Sequence, residues 1–299
     1  MHVSQSALLL LLATLPALSL LLRPRRRLCA PRLDVIVKLG GSAITHKASF
    51  ETLNAAALAA TSKMVASSKC RAVLMHGAGS FGHFQARQYA VSKGSADPSF
   101  SWAGFGLTRR SVCKLNGHVV GALLEEGVAA VHVPSFPTLT TRGKGVVAPR
   151  TLDTGVRQVC SLLDAGLLPV LHGDAVLDEL QGSSILSGDT LMVLLSHALR
   201  PRLAVFLTDV PGVYDRPPSE KGATLLTRIG VGPDGQLRIA AATSTAAHDV
   251  TGGLATKLAA AAQIAKCGTP VVIVQVGTAQ AEACFRGEIP DVCTLIVAE

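Results

Sequence analysis

An apolar run that ends in a glycine-rich turn is the strongest sign of chemistry in this sequence. The stretch is Val73-Leu-Met-His76-Gly77-Ala78-Gly79-Ser80-Phe81-Gly82-His83. Glycine accepts positive φ and has no Cβ, so such a turn lets backbone N–H groups close around an anion. The histidine after the last glycine adds a side-chain donor beside that anion. We therefore expect an anion site at this turn, with His83 as its side-chain donor.

The same turn matches G-x-G-x-x-G, which invites a dinucleotide-binding interpretation. That motif needs an acidic residue about 20 positions further on, at the end of the next strand, to bind the ribose. Asp97 has roughly this spacing, but it lies in a loop that no strand precedes. Nicotinamide or flavin binding is therefore disfavoured. One glycine of a nucleophile elbow is missing and no P-loop motif occurs, so a serine hydrolase and a P-loop protein are disfavoured too.

Two further motifs place lysines beside glycines. In Lys38-Leu-Gly40-Gly41-Ser42, a lysine lies in an apolar strand, where its ammonium is costly unless it reaches an anion or snorkels to the surface. Lys47 lies in the loop that follows. In Asp249-Val-Thr-Gly252-Gly253, glycines begin a helix whose free N–H groups favour an anion, with Lys257 in its first turn. Both motifs indicate phosphate binding.

Two acids and two other histidines also follow or end predicted strands. Asp174 and Asp209 are suited to position lysines or to hold Mg²⁺ through water, although either could simply cap a helix or a turn. His76 and His172 are predicted to be packed, hydrogen-bonded structural residues. The 7 cysteines are scattered without a C-x-x-C motif, so neither a disulfide framework nor a zinc site is expected.

The elements that must position these residues alternate between strand and helix. Strands are predicted at 34–39, 71–76, 128–133, 167–171, 203–207, 270–275 and 294–297, helices at 51–68, 106–126, 151–165, 189–199 and 254–267, a hairpin at 175–187, and a loop region at 211–235. This alternation predicts an α/β fold, with helices on both faces of an open, mostly parallel sheet. The ligand is expected at the carboxyl ends of the strands, where the glycine and acid turns fall.

Composition narrows the class of protein. The chain has 299 residues, of which 48% are hydrophobic and 16% charged, as in ordinary globular proteins. Its net charge of +8 falls to +4 when the four arginines between positions 23 and 27 are left out. The remainder has no basic stripe interleaved with aromatic residues, so nucleic acid is not an expected partner.

Residues 1–32 are treated as a separate segment. Ala7 to Leu22 is nearly all apolar, and the block Arg23-Pro-Arg-Arg-Arg27 follows. Residues 7–22 could anchor the chain in a membrane, and the positive-inside rule then places the catalytic domain on the cytosolic side. A cleaved leader for import into an organelle is the second interpretation. The third is a mis-chosen start codon, with the protein beginning near Leu33.

Taken together, the motifs resemble the amino acid kinase superfamily and, within it, the isopentenyl phosphate kinases. The matching stretches follow the family's order over most of residues 34–297: Lys38–Lys47, His76–His83, His172–Asp174, Ser187–Asp189, Thr208–Tyr214, and Asp249–Gly253 with Lys257. The turn that closes in Ser-Phe-Gly-His is the discriminating one, because in isopentenyl phosphate kinases this histidine binds the acceptor phosphate. Ala78 replaces the family's middle glycine, so its φ is expected to be negative or mildly strained. Cys293-Thr294 stands where Gly-Thr is expected.

The resemblance implies ATP-dependent phosphorylation of isopentenyl phosphate to isopentenyl diphosphate, with Mg²⁺, and with dimethylallyl phosphate as a second candidate acceptor. It implies a three-layer αβα sandwich, the amino acid kinase fold, over residues 33–299, and a homodimer. The acceptor-binding lobe would span about 33–165 and the ATP-binding lobe about 166–299. The residues implied for ATP are Lys38, Gly40, Gly41, Ser42, Thr208, Asp209, Gly253 and Lys257, and those for the acceptor are Gly77, Ala78, Gly79, His83 and Gly188. The implied catalytic set is Lys38, Lys47, His83, Asp174 and Lys257, with Asp174 orienting the lysines.

The chemistry of the implied acceptor suits these residues. A phosphate monoester has a second pKa of about 6, so it is already a nucleophilic anion at neutral pH and needs no base. Its apolar tail needs a pocket, for which Phe84, Phe100, Trp102 and Phe105 are candidates. Two rival functions stay open: a kinase of the same superfamily for another small phosphate, phosphonate or carboxylate, and a catalytically silent ATP-binding sensor or scaffold. The silent protein would be expected to lack one of the three lysines.

Overall fold

The computed structural model describes residues 32–143, 145–239 and 252–299. The predicted anchor or targeting segment at residues 7–22 lies outside these ranges, as do Asp249, Val250 and Thr251 of the last glycine motif. Within the ranges, no helix combines the length and apolar character needed to cross a membrane.

The strands form one central sheet and a separate hairpin. In the described chain, the sheet has nine strands in the spatial order β3-β4-β2-β1-β7-β10-β11-β8-β9. Their bounds are β1 Val35–Leu39, β2 Ala72–His76, β3 Ala130–His132, β4 Leu168–His172, β7 Leu203–Thr208, β8 Arg228–Val231, β9 Leu237–Ile239, β10 Val271–Gln275 and β11 Thr294–Ala298. The hairpin pairs β5 Asp174–Asp178 with β6 Gly182–Leu186, as predicted. The six strands from β3 to β10 in spatial order run parallel, which confirms the mostly parallel sheet.

Helices cover both faces of this sheet. Their bounds are α1 Gly41–Ile44, α2 Ala55–Ser68, α3 His83–Gln88, α4 Trp102–Glu125, α5 Pro149–Asp164, α6 Gly188–Leu199, α7 Gly252–Lys266 and α8 Ala279–Phe285. Successive strand residues point to opposite faces, so Ile36 packs with α5, α6 and α7 while Val37 packs with α2, α4 and α8. The two apolar cores lie on either side of the sheet, and the three-layer αβα sandwich is confirmed.

The far edge of the sheet differs from the prediction. The segment from Pro211 to Gly235 was expected to be a loop, but it contains β8, and β9 follows directly. Strand β8 has only four residues and pairs with β11 from the C-terminal end of the chain. Such a short strand carries too little alternation to be recognised, and its partner is distant in sequence. Helix α8 was not predicted, and β11 runs antiparallel to β10.

Register brings the ends of four strands to one edge of the sheet. Leu39 lies opposite both His76 and Leu207, and His76 lies opposite His172. The turns that follow β1, β2, β4 and β7 are therefore neighbours in space, as the switch-point argument requires.

Candidate active site

Backbone hydrogen bonds join the turns at this edge. Three glycines that follow strands each donate their N–H to a carbonyl at the end of a neighbouring strand. Gly77 donates to Leu39 (3.0 Å) and Gly173 to His76 (3.1 Å), which are the last residues of their strands, and Gly40 donates to Leu207 (2.8 Å), the next-to-last residue of β7. Each turn is thus held by the strand beside it, and the loops that could contact a ligand have fixed relative positions.

The glycine turn after β2 packs tightly against the loop after β1. Gly79 has φ +53°, and a Cβ added there would collide with Thr45 Oγ1. Thr45 ties the two loops together, because its Oγ1 donates to the Gly41 carbonyl (2.7 Å) and accepts from Ser80 N–H (3.0 Å). A Cβ on Gly41 would in turn lie 2.7 Å from the Gly79 Cα. Only glycine fits at both positions, so this close approach is the physical reason for the two motifs.

Ala78 is not strained. Its φ is −66° and its ψ is −29°, in the ordinary right-handed helical region. A Cβ costs nothing in this conformation, so alanine can replace the middle glycine of the family's turn. Of the two expectations for Ala78, a negative φ is observed and the mild strain is not. The position with a genuine requirement for glycine is Gly79.

Gly79→Ala and Ala78→Gly form a matched pair of substitutions. We expect Gly79→Ala to lower the free energy of unfolding by about 1–3 kcal/mol, because alanine must adopt left-handed backbone angles and clash with Thr45. Ala78→Gly should cost less than about 1 kcal/mol, since it adds only chain entropy. Urea denaturation of both variants measures the difference, and equal losses would contradict the assignment of the strain to Gly79.

Lys38 lies at the end of β1 and its ammonium meets a carboxylate. The side chain is only 8% exposed, and its Nζ donates to Asp189 Oδ1 at 2.7 Å. Gly188, the first residue of α6, leaves room for it, since a Cβ there would lie 2.9 Å from Lys38 Cε. The predicted acceptor residue Gly188 therefore borders Lys38 directly.

The three predicted lysines influence one another electrostatically. Burial is the main reason that the pKa of Lys257 falls to about 8, and the positive charges of Lys38 and Lys47 lower it further. The carboxylates of Asp189 and Asp209 oppose this shift. Lys38 and Lys47 are therefore close enough to Lys257 for their charges to act on it, together with the two carboxylates. A cluster of three cations around two carboxylates carries an excess of positive charge, which favours a polyanionic ligand.

His83 borders the same cationic region from the glycine turn. It is the first residue of α3, and it is exposed to solvent. Desolvation lowers the pKa of His83, and the positive charges of Lys47 and Lys38 lower it further. The imidazole is thus mostly neutral near pH 7 when no anion is present. A bound phosphate would reverse this, because a negative charge favours the protonated form.

Asp174 does not orient the lysines, and this part of the prediction is wrong. Its carboxylate accepts from the Arg109 guanidinium on α4 at 3.2–3.4 Å, and Arg109 also stacks over the Phe136 ring at 4.3 Å. The carboxylate that holds Lys38 is Asp189. Asp189 lies in the Ser187–Asp189 motif, which is one of the stretches that carry the resemblance, but the sequence analysis assigned it no role. No sequence pattern indicated that Arg109 binds Asp174, because an arginine on a long helix is usually solvated.

The other residues predicted to bind ATP lie around the same edge. Ser42 is in α1 and half-buried, Asp209 is exposed after β7, and Gly253 lies in open space in the first turn of α7. Thr208 differs, because its buried hydroxyl donates to the Val210 carbonyl at 2.7 Å and so closes its own turn. Any contact of Thr208 with a ligand would therefore come from its backbone.

His76 and His172 are packed and hydrogen-bonded, as predicted. His76 is fully buried, with its Nδ1 on the Gly77 carbonyl (3.0 Å) and its Nε2 on the Asn116 amide (3.0 Å). Burial lowers its pKa to about 3, so it stays neutral at any physiological pH. His172 is also fully buried and makes the matching contact with the Gly173 carbonyl (2.9 Å).

Comparison with known proteins agrees with this site. The model of the amino acid kinase family matches residues 35–275. The isopentenyl phosphate kinase of Arabidopsis thaliana is 44% identical over 231 residues, which cover 73% of this chain and 68% of that protein. The isopentenyl phosphate kinase of Methanothermobacter thermautotrophicus is 37% identical over 234 residues, or 75% of this chain and 84% of that protein.

A solved structure supports the same relationship. An isopentenyl phosphate kinase known from X-ray structures superimposes with a TM-score of 0.73 at 29% identity, covering 88% of this chain and 100% of its own. Residues 35–275, which the family model matches, contain both glycine turns, all three lysines and His83. The chain belongs to the amino acid kinase family and, within it, to the isopentenyl phosphate kinases.

Proposed function

We propose that this chain transfers the γ-phosphoryl group of ATP to isopentenyl phosphate, producing isopentenyl diphosphate and ADP. The observation that carries the proposal is the arrangement at the carboxyl edge of the sheet. There, a Cβ added to Gly188 would lie 2.9 Å from Lys38 Cε and 3.4 Å from the carbonyl oxygen of His76, so the glycine turn begins beside Lys38. The positive charges of Lys38 and Lys47 act on both His83 and Lys257. The glycine turn is suited to a monophosphate, and the region of the lysines is suited to a triphosphate.

The reaction needs charge neutralisation more than it needs a base. An oxygen of the acceptor phosphate attacks the γ-phosphorus, and the bond from that phosphorus to the bridging oxygen of ADP breaks. The acceptor carries no proton on that oxygen at neutral pH, since its second pKa is about 6. The carboxylates of Asp174, after β4, and Asp189, at the start of α6, are each held by a cation. The principal task of the site is therefore to bring two anions together, which the lysines and the backbone N–H groups accomplish.

We propose these roles for the individual residues. Lys38 and Lys257 stabilise the transferring phosphoryl group, Lys47 neutralises the outer phosphates, and Asp189 positions Lys38. His83, with the backbone of Gly77, Ala78 and Gly79, binds the acceptor phosphate. ATP lies along the turns of Gly40, Gly41 and Ser42, of Thr208 and Asp209, and of Gly253, while Gly188 separates the two phosphates.

We propose that ATP enters as its Mg²⁺ complex. Mg²⁺ keeps several waters and commonly uses substrate phosphates with only one or two carboxylates. Asp189 is already engaged by Lys38, whereas Asp209 is exposed and its negative charge acts on Lys257. This donor set suits an ion carried in by the triphosphate, with Asp209 as the residue nearest to reach it through water.

An apolar cluster beside the glycine turn is our proposed site for the prenyl tail. Val91, Phe105 and Ala175 are buried together there, and Phe136 packs against them. The ring of Phe105 contacts those of Trp102 and Phe136, each at 5.7 Å between centroids, and Phe100 contacts Trp102 at 5.0 Å. Phe84, the fourth candidate, pairs with Phe50 instead.

The lobe assignment, oligomeric state and location are further proposals from the resemblance. We propose an acceptor lobe over about 33–165, an ATP lobe over about 166–299, and a homodimer, which sedimentation analysis tests. Residues 7–22 would anchor or target a catalytic domain that works in the cytosol or in an organelle. Imaging of fluorescent fusions with and without residues 1–32 distinguishes anchoring, import and no effect.

Product analysis tests the function. The purified chain should convert isopentenyl phosphate and labelled ATP to labelled isopentenyl diphosphate, with dimethylallyl phosphate as a second acceptor. Glutamate, carbamate and a small phosphonate serve as comparison acceptors. Faster turnover of one of these would favour the rival kinase, and ATP binding without transfer to any acceptor would favour the silent sensor.

A further inference from the structure

Three side chains with metal-binding atoms meet behind the acceptor turn. They are Cys113 on α4, His132 at the end of β3 and His172 at the end of β4. One ligand atom from each lies within 4.8 Å of the other two. We propose that these residues form a binding site for a borderline-soft divalent metal ion of the Zn²⁺ class.

The hydrogen bonds of His172 prepare it for this role. A carbonyl oxygen can only accept, so the contact with the Gly173 carbonyl at 2.9 Å requires the proton of His172 on Nδ1. The lone pair is then on Nε2, which accepts a hydrogen bond from His132 Nε2–H at 2.9 Å. A metal ion would take the place of that shared proton, with the proton of His132 moving to its Nδ1. Histidines that bind metals commonly donate their other ring nitrogen to a backbone carbonyl, which fixes the tautomer and the ring orientation. His172 thus already has the arrangement of a metal ligand.

The ligand types select the metal. Thiolate sulfur suits Zn²⁺ and Cu⁺, while imidazole suits Zn²⁺ and several transition metals, so zinc is favoured by both. Mg²⁺ prefers oxygen ligands and would not compete here. With two imidazoles and one thiolate, a tetrahedral ion would complete its shell with one water. Cys113 and His132 are only half-buried, so solvent can reach this fourth position.

Neighbouring charges do not prevent binding of a cation. Arg109 lies one helical turn before Cys113, but its guanidinium is paired with the fully buried carboxylate of Asp174. His76 stacks on His172 with ring centroids 5.5 Å apart and is itself neutral. A bound ion would therefore meet a local environment without excess positive charge.

The position of the site suggests its effect. The ion would join α4, β3 and β4, which are separate in sequence, and His172 directly precedes Gly173, whose N–H holds the end of β2. Metal binding should therefore stabilise the acceptor side of the fold. This stabilisation is independent of which acceptor the enzyme uses.

Metal titration of the whole chain tests the proposal. After removal of metals with a chelator, ZnCl₂ should bind with a stoichiometry of one and raise the Tm. CoCl₂ should produce a near-ultraviolet band from sulfur-to-metal charge transfer. Cys113→Ser should abolish this band, and both Cys113→Ser and His132→Gln should weaken Zn²⁺ binding by about tenfold or more, since even loss of an outer-shell partner costs 10–100-fold.

Two control variants make the result specific. Cys70→Ser removes a half-buried thiol whose Sγ meets Ser68 Oγ at 3.4 Å. Cys267→Ser removes the thiol that lies 3.0 Å from His197 Nε2, which is a competing place for a metal. Both should bind zinc as the unaltered chain does. Absence of saturable zinc binding to the unaltered chain, or a cobalt band that survives in Cys113→Ser and disappears in Cys267→Ser, would overturn the proposal. Circular dichroism of the metal-free variants shows whether each is folded.

Discussion

Lys257→Met is expected to lower kcat by about 10²- to 10³-fold, the usual cost of removing a charged group that stabilises a transition state. Methionine keeps much of the length and apolar character of the lysine stem but lacks the ammonium. The half-buried position of Lys257 makes its charge effective, because a partly desolvated site screens it weakly. Steady-state kinetics with saturating isopentenyl phosphate measures the effect. Lys266→Met, an exposed lysine in the last turn of the same helix, is the matched control.

The pH dependence gives an independent test of Lys257. Its pKa is lowered to about 8, so in the free enzyme the ammonium is present below pH 8 and is lost as the pH rises through that value. The kcat/KM for ATP reports the free enzyme and should therefore fall on the alkaline side with an apparent pKa of about 8. Lys257→Arg should be slower but without this alkaline limb, since guanidinium stays charged. A limb that persists unchanged in Lys257→Arg would assign it to another group.

His83→Ala is expected to raise the KM for isopentenyl phosphate by about 10- to 100-fold, as for the loss of a hydrogen bond to a charged group. The KM for ATP should change little, because His83 belongs to the glycine turn and not to the lysine loops. His83→Asn retains a donor and should recover part of the loss. His197→Ala, in the last turn of α6, where the ring contacts the Gln263 carbonyl, is the control. Equal acceptor KM values for His83→Ala and the unaltered chain would remove His83 from the phosphate site.

His83 also predicts an effect of pH on acceptor binding. Its pKa is lowered in the free protein, and bound phosphate should raise it again, so binding takes up a proton above the free-state pKa. The KM for the acceptor should therefore rise with pH above neutrality in the unaltered chain and do so less in His83→Ala.

The predicted residues that the structure brings together share a local signal. Lys38 and Lys257 each stand within a few positions of paired glycines, and such pairs at strand or helix ends have few structural explanations. His76 and His172 end apolar strands, so their burial was expected from the pattern alone. The alternation of strand and helix likewise predicted the sandwich, because a strand buried on both faces must be covered by helices on both sides.

The contacts and the strand that were predicted wrongly or missed depend instead on partners far apart in the sequence. Asp189 holds Lys38 although 151 positions separate them, and Asp174 pairs with Arg109 across 65 positions. No local pattern distinguishes a carboxylate that meets Lys38 from one that meets Arg109. Strand β8 was missed for the same reason, since four residues with a C-terminal partner have no periodicity of their own.

Local chemistry therefore decided which glycines, lysines and histidines are special, and hydrophobic alternation decided the layers of the fold. Tertiary structure alone decided which carboxylate meets which cation, that Gly79 rather than Ala78 is sterically constrained, and that Cys113 lies beside His132 and His172. The physical reason is the separation along the chain over which each kind of interaction acts. Backbone preferences and burial act on neighbouring residues, whereas ion pairs, loop packing and metal ligands depend on the register of strands that the chain brings together only when it folds.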